Sequence, residues 1–205
     1  MEQIQDYNQP HYQQPDYSAV GRPIMPFWTA VKTCFKKYFD FTGRARRSEY
    51  WWFVLFASII YFVWILLCSF FLAFWIATAI NGETYSSPMV PLMSYVGLMI
   101  VPMLALFIPQ YAVQTRRLHD TGRSGWWIVA SLVVSLAYMI AYFSVMMPMF
   151  ENGIDEMPAF FSTPMMIVVA ILGMISMLLS VIILIFTIMD SQRGENKYGP
   201  SPKYQ

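Results

Sequence analysis

Charge is scarce in this sequence. Asp, Glu, Lys and Arg make up 12% of its 205 residues, about half the roughly 25% usual in a soluble domain. Over a chain this long, so little charge points to a membrane protein. The formal net charge is only +1, so no overall field gathers nucleic acid and the electrostatics that matter are local. Cysteine is nearly missing too. Cys34 lies in a lysine-flanked segment and Cys68 deep in an apolar run, so a disulfide is not expected and both read as small apolar fillers. There is no secretory signal: the first charge-poor segment is much longer than the roughly 7–15 residues of a signal core and lacks a cleavage site. The chain is therefore expected to keep its N-terminus.

What the sequence has instead is long apolar runs. Four stretches, at about 51–80, 89–113, 126–149 and 165–189, contain no Asp, Glu, Lys, Arg or His. Each exceeds the roughly 20 residues that cross a bilayer as a helix. The fold class is therefore an all-α membrane protein with four transmembrane helices. Ion-coupled transporters and proton relays need an ionisable residue inside the bundle, so their absence here argues against that class; a channel for a neutral solute stays open. Pro102 and Pro109 should kink the second span, a feature read as architectural. Gln110 and Gln114 are placed to hydrogen-bond neighbouring helices. Ala170, Gly173, Ser176 and Ser180 form a small-residue stripe on the fourth span, the usual device for close helix packing.

Outside the spans the segments differ in kind. Residues 1–25 are rich in Gln, Tyr and Pro and poor in aliphatics, which predicts a disordered tail. Over residues 26–41, Phe27, Val31, Cys34, Phe35 and Tyr38 share one helical arc and Thr29, Thr33, Lys36 and Asp40 the opposite one. That pattern predicts an amphipathic helix at the membrane interface. A four-span domain over 42–202 and a short end at 203–205 complete the chain. All thirteen Lys and Arg fall before the first span, between the second and third, or after the fourth. The positive-inside rule then puts both termini and the 116–125 connection in the cytoplasm.

Three stretches concentrate the polar information: FTGRARRSEYWW at 41–52, RRLHDTGRSGWW at 116–127 and RGENKYGPSP at 193–202. In this order around four spans they resemble the DUF805 family of bacterial inner-membrane proteins, over about Phe39 to Pro202. The resemblance implies a small polytopic bacterial membrane protein. It carries over no substrate, cofactor or catalytic residue.

The residues themselves suggest a polar network or a lipid-headgroup site on the cytoplasmic face, built from Arg44, Arg46, Arg47, Glu49, Arg116, Arg117, His119, Asp120 and Arg123. Asp120 and Glu49 are the natural counter-charges for arginines of the two stretches, with His119 hydrogen-bonding among them. Asp120 could alternatively cap the lead-in to the third span, with Gly122 and Gly125 permitting the reversal. Each juxtamembrane arginine adds roughly 1 kcal/mol of attraction to anionic lipid, with bidentate phosphate geometry. One histidine beside one carboxylate falls short of a zinc site, no nucleophile is specified, and Gly122–Gly125 is too short for a phosphate-binding loop. No cofactor and no nucleic-acid partner are expected. The expectation is a non-enzymatic membrane protein whose arginines meet anionic headgroups, a partner protein or a second copy. A small transporter or channel and a headgroup-modifying enzyme joining His119, Asp120 and Glu49 are the rivals.

Overall fold

The computed structural model describes residues 21–80, 89–152 and 164–204, and these are helical except for turns and short connections. The helices are α1 (Phe27–Lys36), α2 (Arg47–Ile80), α3 (Met89–Asp120), α4 (Trp126–Asn152) and, with a proline at its first position, α5 (Pro164–Ile188). Proline suits that place because its missing N–H is one the helix start leaves unpaired anyway. Four helices, α2 to α5, are long and apolar enough to cross a membrane. Their outer surfaces carry exposed Phe62, Phe70, Leu136 and Met174, as expected of helices that face lipid instead of water.

Packing divides the molecule into two helical pairs. α2 lies against α3, α4 lies against α5, and the pairs meet chiefly through α3 and α5. α1 lays Ala30, Val31 and Cys34 into the first pair. There Phe35 stands edge-on to Phe53 and Phe56, and Phe27 edge-on to Trp52. Between α4 and α5 the Ser135 and Ser176 hydroxyls bond at 3.1 Å. A Cβ on Gly173 would come within 3.3 Å of the Tyr138 ring, so the small residues there let the two backbones approach. Ala170 faces outward and takes no part.

Both prolines of α3 have a specific consequence. A proline lacks the N–H that would bond the carbonyl four residues earlier, which frees Leu98 O at Pro102 and Ala105 O at Pro109. Each freed acceptor is met from another segment. Trp64 Nε1 on α2 donates to Leu98 O at 2.8 Å, and the Tyr38 hydroxyl donates to Ala105 O at 3.1 Å. The kinked helix is thereby fastened to its neighbours at the points where its own ladder is broken.

Three boundaries differ from the sequence expectation. α3 continues through Arg116, Arg117 and His119 to Asp120, well past residue 113, because those charges are paired inside the protein. α1 ends at Lys36, with Tyr38 in the following turn. Of the segment 1–25, residues 1–20 lie outside the described residues, while 21–25 run extended along the bundle. The Arg22 N–H donates to Lys203 O at 2.7 Å, the Met25 N–H donates to Ser48 Oγ at 3.3 Å, and Met25 O accepts from Trp52 Nε1 at 2.9 Å.

Candidate functional site: a buried arginine knot

The three polar stretches converge at one end of the bundle. At the centre is Asp120, the last residue of α3, with no solvent exposure. Its Oδ1 accepts from Arg44 Nε at 2.9 Å. Its Oδ2 accepts from Arg117 Nη1 and from the Ser191 hydroxyl. Arg44 is fully engaged: Nη1 donates to Gly194 O at 2.8 Å and Gly199 O at 3.1 Å, and Nη2 to Gln192 O at 2.6 Å and Asp120 O at 3.3 Å. Arg117 donates to Thr187 O at 3.1 Å and to Met189 O at the end of α5. Beside them the Ala45 N–H donates to Arg116 O at 2.9 Å, seating the turn before α2 on the end of α3.

Glu49 holds Arg116, not Arg44, at 3.2 Å between Oε1 and Nη1. Both residues are buried, and neither atom has a hydrogen bond of good angle among the described residues. The attraction in this pair is therefore coulombic. Cys34 lies close by, and burial pushes its thiol up to about 12, with Glu49 adding to the effect. His119 departs from expectation: its Nδ1 lies 3.1 Å from Gly43 O, and its ring stacks on Tyr198 with centroids 3.7 Å apart. A carbonyl only accepts, so Nδ1 carries the hydrogen. His119 thus binds backbone and an aromatic ring rather than the arginines or acids.

The tail after α5 closes the site. Asn196 and Gly199 pair across a tight turn, the Asn196 amide donates to His119 O at 3.0 Å, and the Gln192 N–H donates to Asp120 O at 3.0 Å. Gly122 allows this closure: its φ is +74°, and a Cβ there would stand 2.4 Å from the Gln192 amide. The α4 start is served by Ser124, whose hydroxyl accepts from the Trp126 N–H at 3.3 Å. Asp120 is not its cap.

The remaining predicted residues lie outside the knot. Arg46 donates to Pro202 O at 2.7 Å and Pro23 O at 3.0 Å. Arg47 pairs with Asp190 at 3.1 Å rather than with Asp120. Arg123 sits 4.7 Å over the Phe186 ring. Asp190 also takes Lys203 at 2.8 Å. Partial burial pushes the Asp190 carboxyl up, but the Lys203 ammonium, the Ser191 N–H and Arg47 outweigh it and hold it at about 2. Sequence reasoning missed Asp190, Ser191, Asn196, Tyr198 and Lys203 as site residues. The Asn-Lys-Tyr-Gly run was a readable turn signal, though its docking place was not.

Two chemical environments result. Inside the knot the cations are consumed by carboxylates and carbonyls. Outside it, a groove of about 630 Å³ is lined by Arg22, Arg46, Arg47 and Lys203 together with Trp51, Trp52, Leu55 and Ile188, with Arg46, Arg47 and Lys203 already bonded to Pro23, Pro202, Ile188 and Asp190. Among the described residues no group of three or more His, Cys, Asp or Glu could hold a metal.

Known proteins resemble this chain along most of its length. It is 29% identical over 170 residues to Inner membrane protein YhaH of Escherichia coli strain K12, covering 83% of this chain and 93% of that protein. It is 33% identical over 106 residues to Inner membrane protein YhaI of the same strain, covering 51% of this chain and 72% of that protein. No solved structure gives a significant match. The family profile described as "Protein of unknown function (DUF805)" matches residues 38–200, a range that takes in the first two polar stretches and all but the last two residues of the third, and the chain belongs to the DUF805 family.

Proposed function

We propose that this is a non-enzymatic protein of the bacterial inner membrane whose arginine-bearing end faces the cytoplasm and holds an anionic phospholipid. The groove at the start of α2 carries this reading. Its cations suit a phosphate, while Trp51, Trp52 and Leu55 in the same lining suit the interfacial and acyl parts of that molecule. The orientation rests on the confinement of all thirteen Lys and Arg to alternate connections. α1 fits the interface beside the groove: after packing it still exposes Trp28 and Phe35, with Lys32 and Lys36 on its polar side. In this reading the buried Arg44, Arg116 and Arg117 fasten the fold, and Arg46 and Arg47 meet the ligand.

Native mass spectrometry of protein extracted in mild detergent tests the reading. Wild-type protein is expected to retain phosphatidylglycerol or cardiolipin. Arg46→Ala and Arg47→Ala should each lower that occupancy about fivefold, from roughly 1 kcal/mol per cation. Arg123→Ala, away from the groove, should not. Equal retention in all four proteins overturns the proposal, as does an acidic protein retained in place of lipid.

A further inference from the structure

Below the knot, all four spanning helices contribute to one cavity of about 290 Å³. Its polar lining is Tyr50 from α2, Tyr111 and Gln114 from α3, Ser131 and Ser135 from α4, and Ser180 from α5. No charged side chain takes part. From Asp120 to Tyr111, and from Trp126 to Ser135, the helix axis runs about 14 Å at 1.5 Å per residue. The lining therefore reaches into the candidate spanning segments themselves.

Some of these groups are already satisfied. Ser135 bonds Ser176 at 3.1 Å, and Ser180 donates to Ser176 O at 2.9 Å. The Tyr111 hydroxyl, the Gln114 amide and the Ser131 hydroxyl have no hydrogen-bond partner among the described residues. At membrane depth, each such group left unpaired costs roughly 1–3 kcal/mol. Two hydroxyls and an amide facing one space offer both donors and acceptors. They match a compact molecule that carries both in turn. A charged ligand would find no counter-ion in the lining, and its desolvation would exclude it. The volume sits at the lower end of the roughly 300–1,000 Å³ of ordinary ligand pockets, room for about ten water-sized groups at roughly 30 Å³ each, which suits a small solute.

We infer that this cavity is a binding site for a small neutral solute of the polyol or amide class. It shares no residue with the lipid groove, so either site can fail without the other.

Saturation-transfer difference NMR on the full chain in nanodiscs, with glycerol, urea and glycerol 3-phosphate as separate probes, tests the inference. Transfer is expected to glycerol or urea and not to the charged compound. Gln114→Leu should weaken it about fivefold, the worth of roughly one hydrogen bond, and Ser131→Leu should abolish it by filling the space. Ser131→Ala, which removes one oxygen and cannot clash, should weaken it with the melting curve unchanged. No transfer to either neutral probe overturns the site. So does equal transfer to glycerol 3-phosphate, or undiminished transfer in Ser131→Leu.

Discussion

Arg44 shows why the residue types at this end of the bundle are specific. Its five N–H donors meet Asp120 Oδ1 and the carbonyls of Gly194, Gly199, Asp120 and Gln192. Lysine has three donors on a single nitrogen and cannot reach that set. Arg44→Lys is therefore expected to cost about 2–3 kcal/mol in detergent unfolding despite the retained charge. Asp120→Ala should cost about 3–5 kcal/mol, because it leaves two guanidinium groups buried without their carboxylate. In a double-mutant cycle, Arg44→Ala and Asp120→Ala together should cost about 0.5–3 kcal/mol less than the sum of the singles; additive losses would sink the knot. Asp190 behaves differently because it is half exposed. Its folded carboxyl titrates at about 2 against an ordinary 3.8, so its contribution is fully present above the ordinary value and lost as pH falls towards 2. Tyr204 donates to the same carboxylate at 3.3 Å. Its ring resonances should shift across that window, and in Asp190→Asn the shift should vanish.

At the scale of single elements, α3 is the most constrained helix. Trp64→Phe removes the donor to Leu98 O and should destabilise by about 1–2 kcal/mol. In a Pro102→Ala background the helix regains its own N–H for that carbonyl, so the same tryptophan change should cost measurably less. Equal cost in both backgrounds, measured by thermal unfolding, would separate the tryptophan from the kink. The prolines were legible in the sequence, and so were the four spans, because hydropathy and length report on burial in lipid directly. The partners Tyr38 and Trp64 were not legible, since nothing local in the sequence encodes which carbonyl a distant side chain reaches. The end of α3 misled for a related reason. Arg116, Arg117 and Asp120 look like a solvated loop until the carboxylates and carbonyls that neutralise them are brought in from residues 44–49 and 187–199. His119 stands out in the sequence, but its stacking on Tyr198 depends on a turn formed more than seventy positions later.

Across the whole molecule, the knot ties together the α2–α3 and α4–α5 pairs, which otherwise meet chiefly through α3 and α5. Raising NaCl from about 0.1 to 1 M shortens the screening length from roughly 10 to 3 Å, which weakens exposed charges far more than buried ones. The melting midpoint should therefore move by less than about 2 °C, under the shift expected from a 1 kcal/mol loss. On the proposed lipid reading, phospholipid at Arg46 and Arg47 should be released over the same range. A large salt-induced drop in midpoint would mean that the knot is wet. The tail that closes this tie has a further consequence for biosynthesis. Gln192, Gly194 and Gly199 follow the fourth span and leave the ribosome after it, yet they supply three of the acceptors for Arg44, which emerges long before. The first three spans must therefore wait in the bilayer with an unfinished charge cluster until the segment after the fourth span arrives. A chain stopped just past the fourth span would insert with every membrane helix in place and still present that cluster, half-assembled, to the proteases that survey new membrane proteins.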